Sequence, residues 1–326
     1  MKSNLIFAIP SLIKSSFLFV LCFQYNIVSA QDLITNQNLT NRYICYNLQE
    51  GLSYPDTILL LNIRQQNHES IPPEISKFRS LEFINAMKNR ISSIDENFGQ
   101  LHHLKIALFE QNQLSDLPES FFTLKNIEMI NFNKNKFHEI NYNWRGLMHI
   151  HTISFSENKI KNLPSSFFKL KTLKHLDFSM NEIEHIPTNA FSGMKILKTV
   201  NFSHNKLKKV PSSLLENPSV TEINLDYNQI EDISEIKIKN TSLKALMLSN
   251  NSLKKLPESI CDLHELELLT LSNNSIEKFP EQLNKLTKLN TLIIEGNPVS
   301  EEELIRIKNL LPHTRVVFTR GITEKK

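Results

Sequence analysis

Leu173-Lys-His-Leu176-Asp-Phe178-Ser-Met-Asn181-Glu-Ile183-Glu-His-Ile186-Pro187 places apolar residues first, fourth, sixth and eleventh, an Asn ninth, and an apolar-Pro pair after them. The same arrangement returns in register from about residue 58 to about residue 297. Its first apolar residue falls at Ile58, Leu81, Leu104, Ile127, Ile150, Leu173, Leu197, Val220, Leu243, Leu266 and Leu289, which makes eleven units of 23 residues, the one opening at Leu173 having 24. A fixed internal period of this length replaces the expectation of two or three globular domains with one elongated domain of stacked units.

The ninth residue is Gln66 in the first unit and then Asn89, Asn112, Asn135, Asn158, Asn181, Asn205, Asn228, Asn251, Asn274 and Asn297. A chain leaving a strand at a tight bend turns backbone N–H and C=O groups inward. An Asn amide both donates and accepts, so it can satisfy them on its own and the neighbouring turn. Stacking is therefore predicted to build a buried Asn ladder. The first, fourth, sixth and eleventh residues point to the core; the third, fifth, seventh and eighth face outward, because neighbours on a strand point to opposite sides. Pairs such as Leu117-Pro118, Leu163-Pro164, Val210-Pro211 and Leu256-Pro257 are predicted to open a short helix or 3-10 turn on the far side of each unit.

Lys2 and Lys14, the apolar run Phe17–Phe23 and the small residues Val28-Ser29-Ala30 follow the order of a secretory leader, which predicts a signal peptide over residues 1–30, cleaved after Ala30. A lipid anchor on Cys22 is the rival reading, opposed by Leu21 where such signals have a small residue. No later stretch approaches the roughly 20 apolar residues of a membrane helix. The formal net charge of +3 falls to +1 once Lys2 and Lys14 are removed, so no electrostatic argument for nucleic acid remains. Cys45 and Cys261 lie about nine turns apart; at about 4.8 Å per strand they are far beyond disulfide reach. Composition is globular, 40% hydrophobic and 22% charged with six Gly.

Residues 31–57 are predicted to cap the open N-terminal end of the core, since a terminal unit has no neighbour on one side. Ser300-Glu-Glu-Glu-Leu304 to Pro312, followed by Val316-Val317-Phe318, predicts a C-terminal cap of helix then strand over 300–319, with Ser300 and Glu303 in capping-box spacing. Residues 320–326 form a polar tail.

These residues resemble the leucine-rich-repeat proteins, and within them the bacterial group with 23-residue LxxLxLxxNxLxxLP units. The resemblance covers about 240 of the 326 residues. It implies an α/β solenoid: a curved horseshoe of about eleven repeats, parallel β-strands on the concave face and short helical or 3-10 segments on the convex face. The C-terminal helix and strand are similar to the terminal cap of that group. Gln66 and His68 in the first unit, the missing Pro after Ile233, and Asn141 with Trp144 in the unit at Ile127 depart from the pattern and read as local repacking.

Chemistry is sparse. No Gly-rich phosphate loop, HExxH, GxSxG, CxxC or EF-hand pattern occurs, and nearly every residue is committed to the scaffold, so no catalytic residue, metal ligand or cofactor is expected. Function should lie in the outward strand positions, where three zones appear. The first four units offer Leu60, Phe83, Met87, Ile106, Leu108 and Met129; these read either as a hydrophobic patch that docks a protein segment or as residues shielded by the cap or by one another. The middle units offer Glu157, His175, Asp177, His204, Glu222, Asp226 and Tyr227, and near the end Met247, Leu268 and Ile293 are apolar again. His175, His204, Asp177 and Asp226 could be drawn as a metal or acid–base cluster, but they fit hydrogen-bonding groups around a hydrophobic anchor better. Sequons begin at Asn38, Asn201, Asn240, Asn250 and Asn273.

The expected function is that of an exported, monomeric, non-enzymatic recognition module binding a protein or peptide on the concave face, secreted, periplasmic or held at the cell surface. A self-assembling structural or adhesive surface protein is the alternative, and an enzyme using the polar middle zone is the third reading.

Overall fold

A computed structural model of the chain describes residues 44–318; the leader, the part of the N-terminal cap segment before Ile44, Asn38 within it and the polar tail lie outside the described residues. Fifteen short strands follow one another as β1 (Ile44–Cys45), β2 (Leu60–Asn62), β3 (Ser70–Ile71), β4 (Phe83–Asn85), β5 (Ser93–Ile94), β6 (Ile106–Leu108), β7 (Met129–Asn131), β8 (Thr152–Ser154), β9 (His175–Asp177), β10 (Thr199–Asn201), β11 (Glu222–Asn224), β12 (Ala245–Met247), β13 (Leu268–Thr270), β14 (Thr291–Ile293) and β15 (Arg315–Val317). All but β3 and β5 join one parallel sheet in chain order, and β3 and β5 pair with each other. Register is fixed by the unit: Leu60 lies opposite Phe83, Phe83 opposite Ile106, His175 opposite Thr199 and Thr199 opposite Glu222.

Behind the sheet runs a continuous apolar core. The sixth residues of five successive units are Phe109, Phe132, Phe155, Phe178 and Phe202, whose rings follow one another at 5.5, 5.2, 5.6 and 6.0 Å. A second aromatic column rises from the convex side and meets them edge-on: Trp144 stands 6.0 Å from Phe155, and Phe167 stands 5.4 Å from Phe178. Trp144 is wholly buried and donates its indole N–H to Ile140 O at 3.1 Å, so the unit without Pro fills its interior with an aromatic instead. On this face the chain makes 3-10 turns such as Glu96–Gln100, Glu119–Thr123 and Glu258–Asp262 and one helical turn, Ser212–Leu215. Pro118, Pro211 and Pro257 sit just before their turns in extended conformation, each supplying the carbonyl that accepts the first bond, from Phe121, Leu214 and Ile260 N–H.

The ninth residues form a ladder with one repeating rule. Asn181 Nδ2 donates to Phe155 O at 2.8 Å and Phe178 O at 3.1 Å, the sixth-residue carbonyls of the preceding unit and its own, while its Oδ1 accepts from Ile160 N–H at 3.0 Å. The same three bonds recur, for example, at Asn112, Asn158, Asn228 and Asn274. Gln66, one methylene longer, reaches Tyr46 O at 2.5 Å, tying the first unit to the residue that follows β1.

The ends are closed by polar side chains and one helix. Asn47 caps the turn Leu48–Gly51, which we label α1, by accepting from Gln49 and Glu50 N–H. With α2 for Ser212–Leu215, the helix Glu301–Leu310 is α3, and β15 after it extends the sheet from β14. Ser300 Oγ accepts from Glu303 N–H at 3.1 Å, but Glu303 does not complete the box. Its Oε1 accepts from Phe279 N–H at 2.7 Å and it pairs with Arg306, whose Nη2 donates to Phe279 O at 2.7 Å. Cys45 and Cys261 are both free and buried.

Candidate concave binding face

The outward residues of each strand form rows across the sheet, and each row meets solvent differently. The eighth residue of every unit has a left-handed backbone, φ running from 52° at Asn273 to 71° at Gly296, with Lys88, Gln111, Glu157, Met180, His204 and Tyr227 among them. That bend lifts the eighth side chain off the sheet. Met180 is 48% and Tyr227 51% exposed, and the His204 and Tyr227 rings stack at 4.1 Å with 11° between planes. Together they make an open shelf along one border of the face. Asn250, Asn273 and Gly296 at the same position are the sequence signal of the left-handed bend that lifts Met180.

The third and fifth rows lie deeper. Leu60, Phe83 and Leu108 are buried, at 5%, 7% and 2% exposure, which favours the reading of residues shielded by one another over that of an open docking patch. Strands about 4.8 Å apart hold Phe83 between Leu60 and Ile106, and Leu108 between Asn85 and Asn131, so lateral neighbours cover most of each side chain. Met87, Ile106 and Met129 remain half-buried. Met247 is also covered.

Six residues of the fifth row make one repeated turn bond, each within its own unit. Asn62, Asn85, Asn131, Asn201 and Asn224 each accept the N–H two residues on, at 3.3, 3.2, 2.9, 3.0 and 3.0 Å. Asp177 does the same with Ser179 N–H at 2.9 Å. Asp177 is thus a buried residue of the scaffold as well as a candidate site residue, and burial pushes its carboxyl up to about 6. In the seventh row Asp226 Oδ1 accepts from Ser249 N–H at 2.6 Å and from Thr270 Oγ1 at 3.4 Å; burial raises it to about 6 as well. His175, half-buried with Nδ1 3.0 Å from Thr199 Oγ1, has its pKa lowered by burial and then by Lys174. Burial raises Glu222 against the pull of Lys244. His204 is shifted down by burial.

The structure therefore joins His204, Asp226 and Tyr227 at one border, leaves His175 and Asp177 deeper on the same strand, and separates them from the N-terminal residues. Among the described residues no group of three or more His, Cys, Asp or Glu is placed to hold a metal ion, and no helix is long and apolar enough to cross a membrane. Of the described sequons, Asn201 and Asn240 are buried with their amides bonded, and only Asn250 and Asn273 reach the surface.

A family model described as leucine rich repeat matches residues 148–207, 179–230, 218–276 and 241–299. No curated protein matches the chain by sequence. Among solved structures, an internalin (InlF) from Listeria monocytogenes is similar at 19% identity and TM-score 0.61, over 83% of this chain and 84% of its own. The plant peptide hormone receptor RGFR1 in complex with RGF2 gives 23% identity and TM-score 0.66, over 78% of this chain and 43% of its own. Toll from the Drosophila Toll–Spatzle complex gives 18% and 0.71, over 82% and 38%. The chain spans less than half the length of these two receptors.

Proposed function

Starting from the premise that this chain is a leucine-rich-repeat protein, we propose that it is an exported recognition module that binds a protein or peptide across its concave face. The observation that carries the reading is the shelf of Met180, His204 and Tyr227: large, open side chains held by a rigid ladder, on a border where the scaffold asks nothing of their identity. Aromatic side chains on a fixed support lose little entropy on contact and dominate interface energetics. Protein or peptide partners in the complexes of RGFR1 with RGF2 and of Toll with Spatzle support the same direction. The leader-like first thirty residues support export.

The test places a photo-reactive benzoylphenylalanine at position 204 or 227, with the exposed position 262 in the convex turn Glu258–Asp262 as control, and irradiates the protein in the medium of the cells that make it. Adducts at 204 and 227 but not 262 are expected. Adducts at none of them, or equally at all three, overturn the reading. An adduct of twice the chain's own mass would instead identify a self-assembling surface protein.

A further inference from the structure

Charge on the concave face is one-sided. From the unit at Ile150 to the unit at Leu266, the third, fifth, seventh and eighth residues include Glu157, Asp177, Glu222 and Asp226 and no Lys or Arg, in a chain of formal net charge +3. Glu157 has Lys134 at 3.4 Å, and Lys244 faces Glu222. Asp177 and Asp226 have no such neighbour: among the described residues neither carboxylate has a basic nitrogen within 4.0 Å, and Glu157 repels Asp177.

Neither carboxylate is needed by the fold. Asn131, Asn201 and Asn224 make the Asp177 bond with a neutral amide, on the same row and at the same length within 0.1 Å. Asn133, in the seventh row, accepts from Ser156 N–H at 2.7 Å as Asp226 accepts from Ser249. A carboxylate held out of water without a counter-ion, Asp177 buried and Asp226 half-buried, is costly where an amide would serve, and a cation brought by a partner would offset that cost.

We propose that Asp177 and Asp226 each receive one basic side chain of an extended peptide segment lying across β9, β10 and β11, with the cation at Asp226 resting against the exposed Tyr227 ring. This rests on the recognition reading above. Arg is the better fit, since its planar guanidinium can pair with a carboxylate and stack on an aromatic face together. Two strand spacings across and two residues along put the carboxylates about 12 Å apart. An extended peptide advances about 3.3 Å per residue and repeats its facing every second one, so the spacing selects Arg-x-x-x-Arg.

Fluorescence anisotropy with labelled Ser/Thr-rich decapeptides tests this, comparing Arg at i and i+4, Arg at i and i+3, and Gln or Glu at i and i+4. The i, i+4 diarginine peptide is expected to bind at least tenfold tighter than the diglutamine peptide. That preference should vanish in the Asp177→Asn, Asp226→Asn double variant. It should survive in Glu182→Gln, Glu265→Gln, which removes the same charge elsewhere. Unchanged circular dichroism establishes that the first variant folds. Equal binding of the diglutamine peptide, undiminished binding by the Asn variant, or no binding of the diarginine peptide each overturns the proposal. Adducts at 204 and 227 alongside any of these results would leave the recognition reading standing.

Discussion

Asn181 shows what a single side chain contributes to a stacked chain. Its amide serves three carbonyls and one N–H in two neighbouring units, all out of water. Asn181→Leu removes all four bonds at once and should cost about 1–3 kcal/mol for each backbone group left without a partner, read as a fall in midpoint on thermal melting. An unchanged melt would mean that water replaces the amide. Asp177 should behave in the opposite sense. Its folded pKa of about 6 lies above the ordinary 3.8, so the stability it contributes is full below pH ~3.8 and is lost as pH rises through ~6. Asp177→Asn keeps the bond to Ser179 and removes the buried charge. The variant should melt higher than the parent at pH 7.5, by an amount on the order of 2–3 kcal/mol, with the difference fading toward pH 4. A variant less stable than the parent at pH 7.5 would show that the charge supports the fold.

At the scale of elements, strand position was legible and strand exposure was not. The apolar spacing and the Asn at each ninth place follow from backbone geometry that every unit shares, so eleven copies of the pattern state it repeatedly. How far a third- or fifth-row side chain meets water depends on the size of its neighbours about 4.8 Å away, which one unit does not encode. Phe83 and Leu108 read as outward and are covered; Tyr227, at a bend set by φ 56°, stands clear. Lys88, Gln111 and Tyr227 are not residues that announce a left-handed bend, and the strain they carry is imposed by the ladder on either side. The terminal helix α3 follows a different rule. Glu303 leaves its capping box half-made to clamp Phe279 N–H, and Arg306 clamps the Phe279 carbonyl, so the helix is tied to the unit before it. Arg306→Ala should loosen that tie and speed hydrogen exchange at Ile294, whose N–H is bonded to Val317 O at 3.0 Å, while amides near Phe155 are unaffected. Uniform acceleration along the chain would contradict a local clamp.

For the described chain as a whole, each unit touches chiefly the units on either side, so stability should be a sum of unit terms and nearest-neighbour couplings. The stacked phenylalanines carry much of the coupling through the centre, and Phe202 is the last of them, 6.0 Å from Phe178 and 6.2 Å from Phe191. Phe202→Ala leaves a void at this junction worth about 3–5 kcal/mol. Trp144 is the sole tryptophan of the chain and is buried on the N-terminal side of that junction, so its fluorescence reports one half, whereas far-UV circular dichroism reports all units. In the parent the two signals should change together during denaturation, because intact couplings make the array melt as one. In Phe202→Ala the dichroism should begin to fall at lower denaturant than the fluorescence, the units beyond the void unfolding while the aromatic column around Trp144 holds. If both signals shift together by the same amount, coupling through the Asn ladder and the strand pairing outweighs the aromatic column, and the array's cooperativity belongs to its hydrogen bonds.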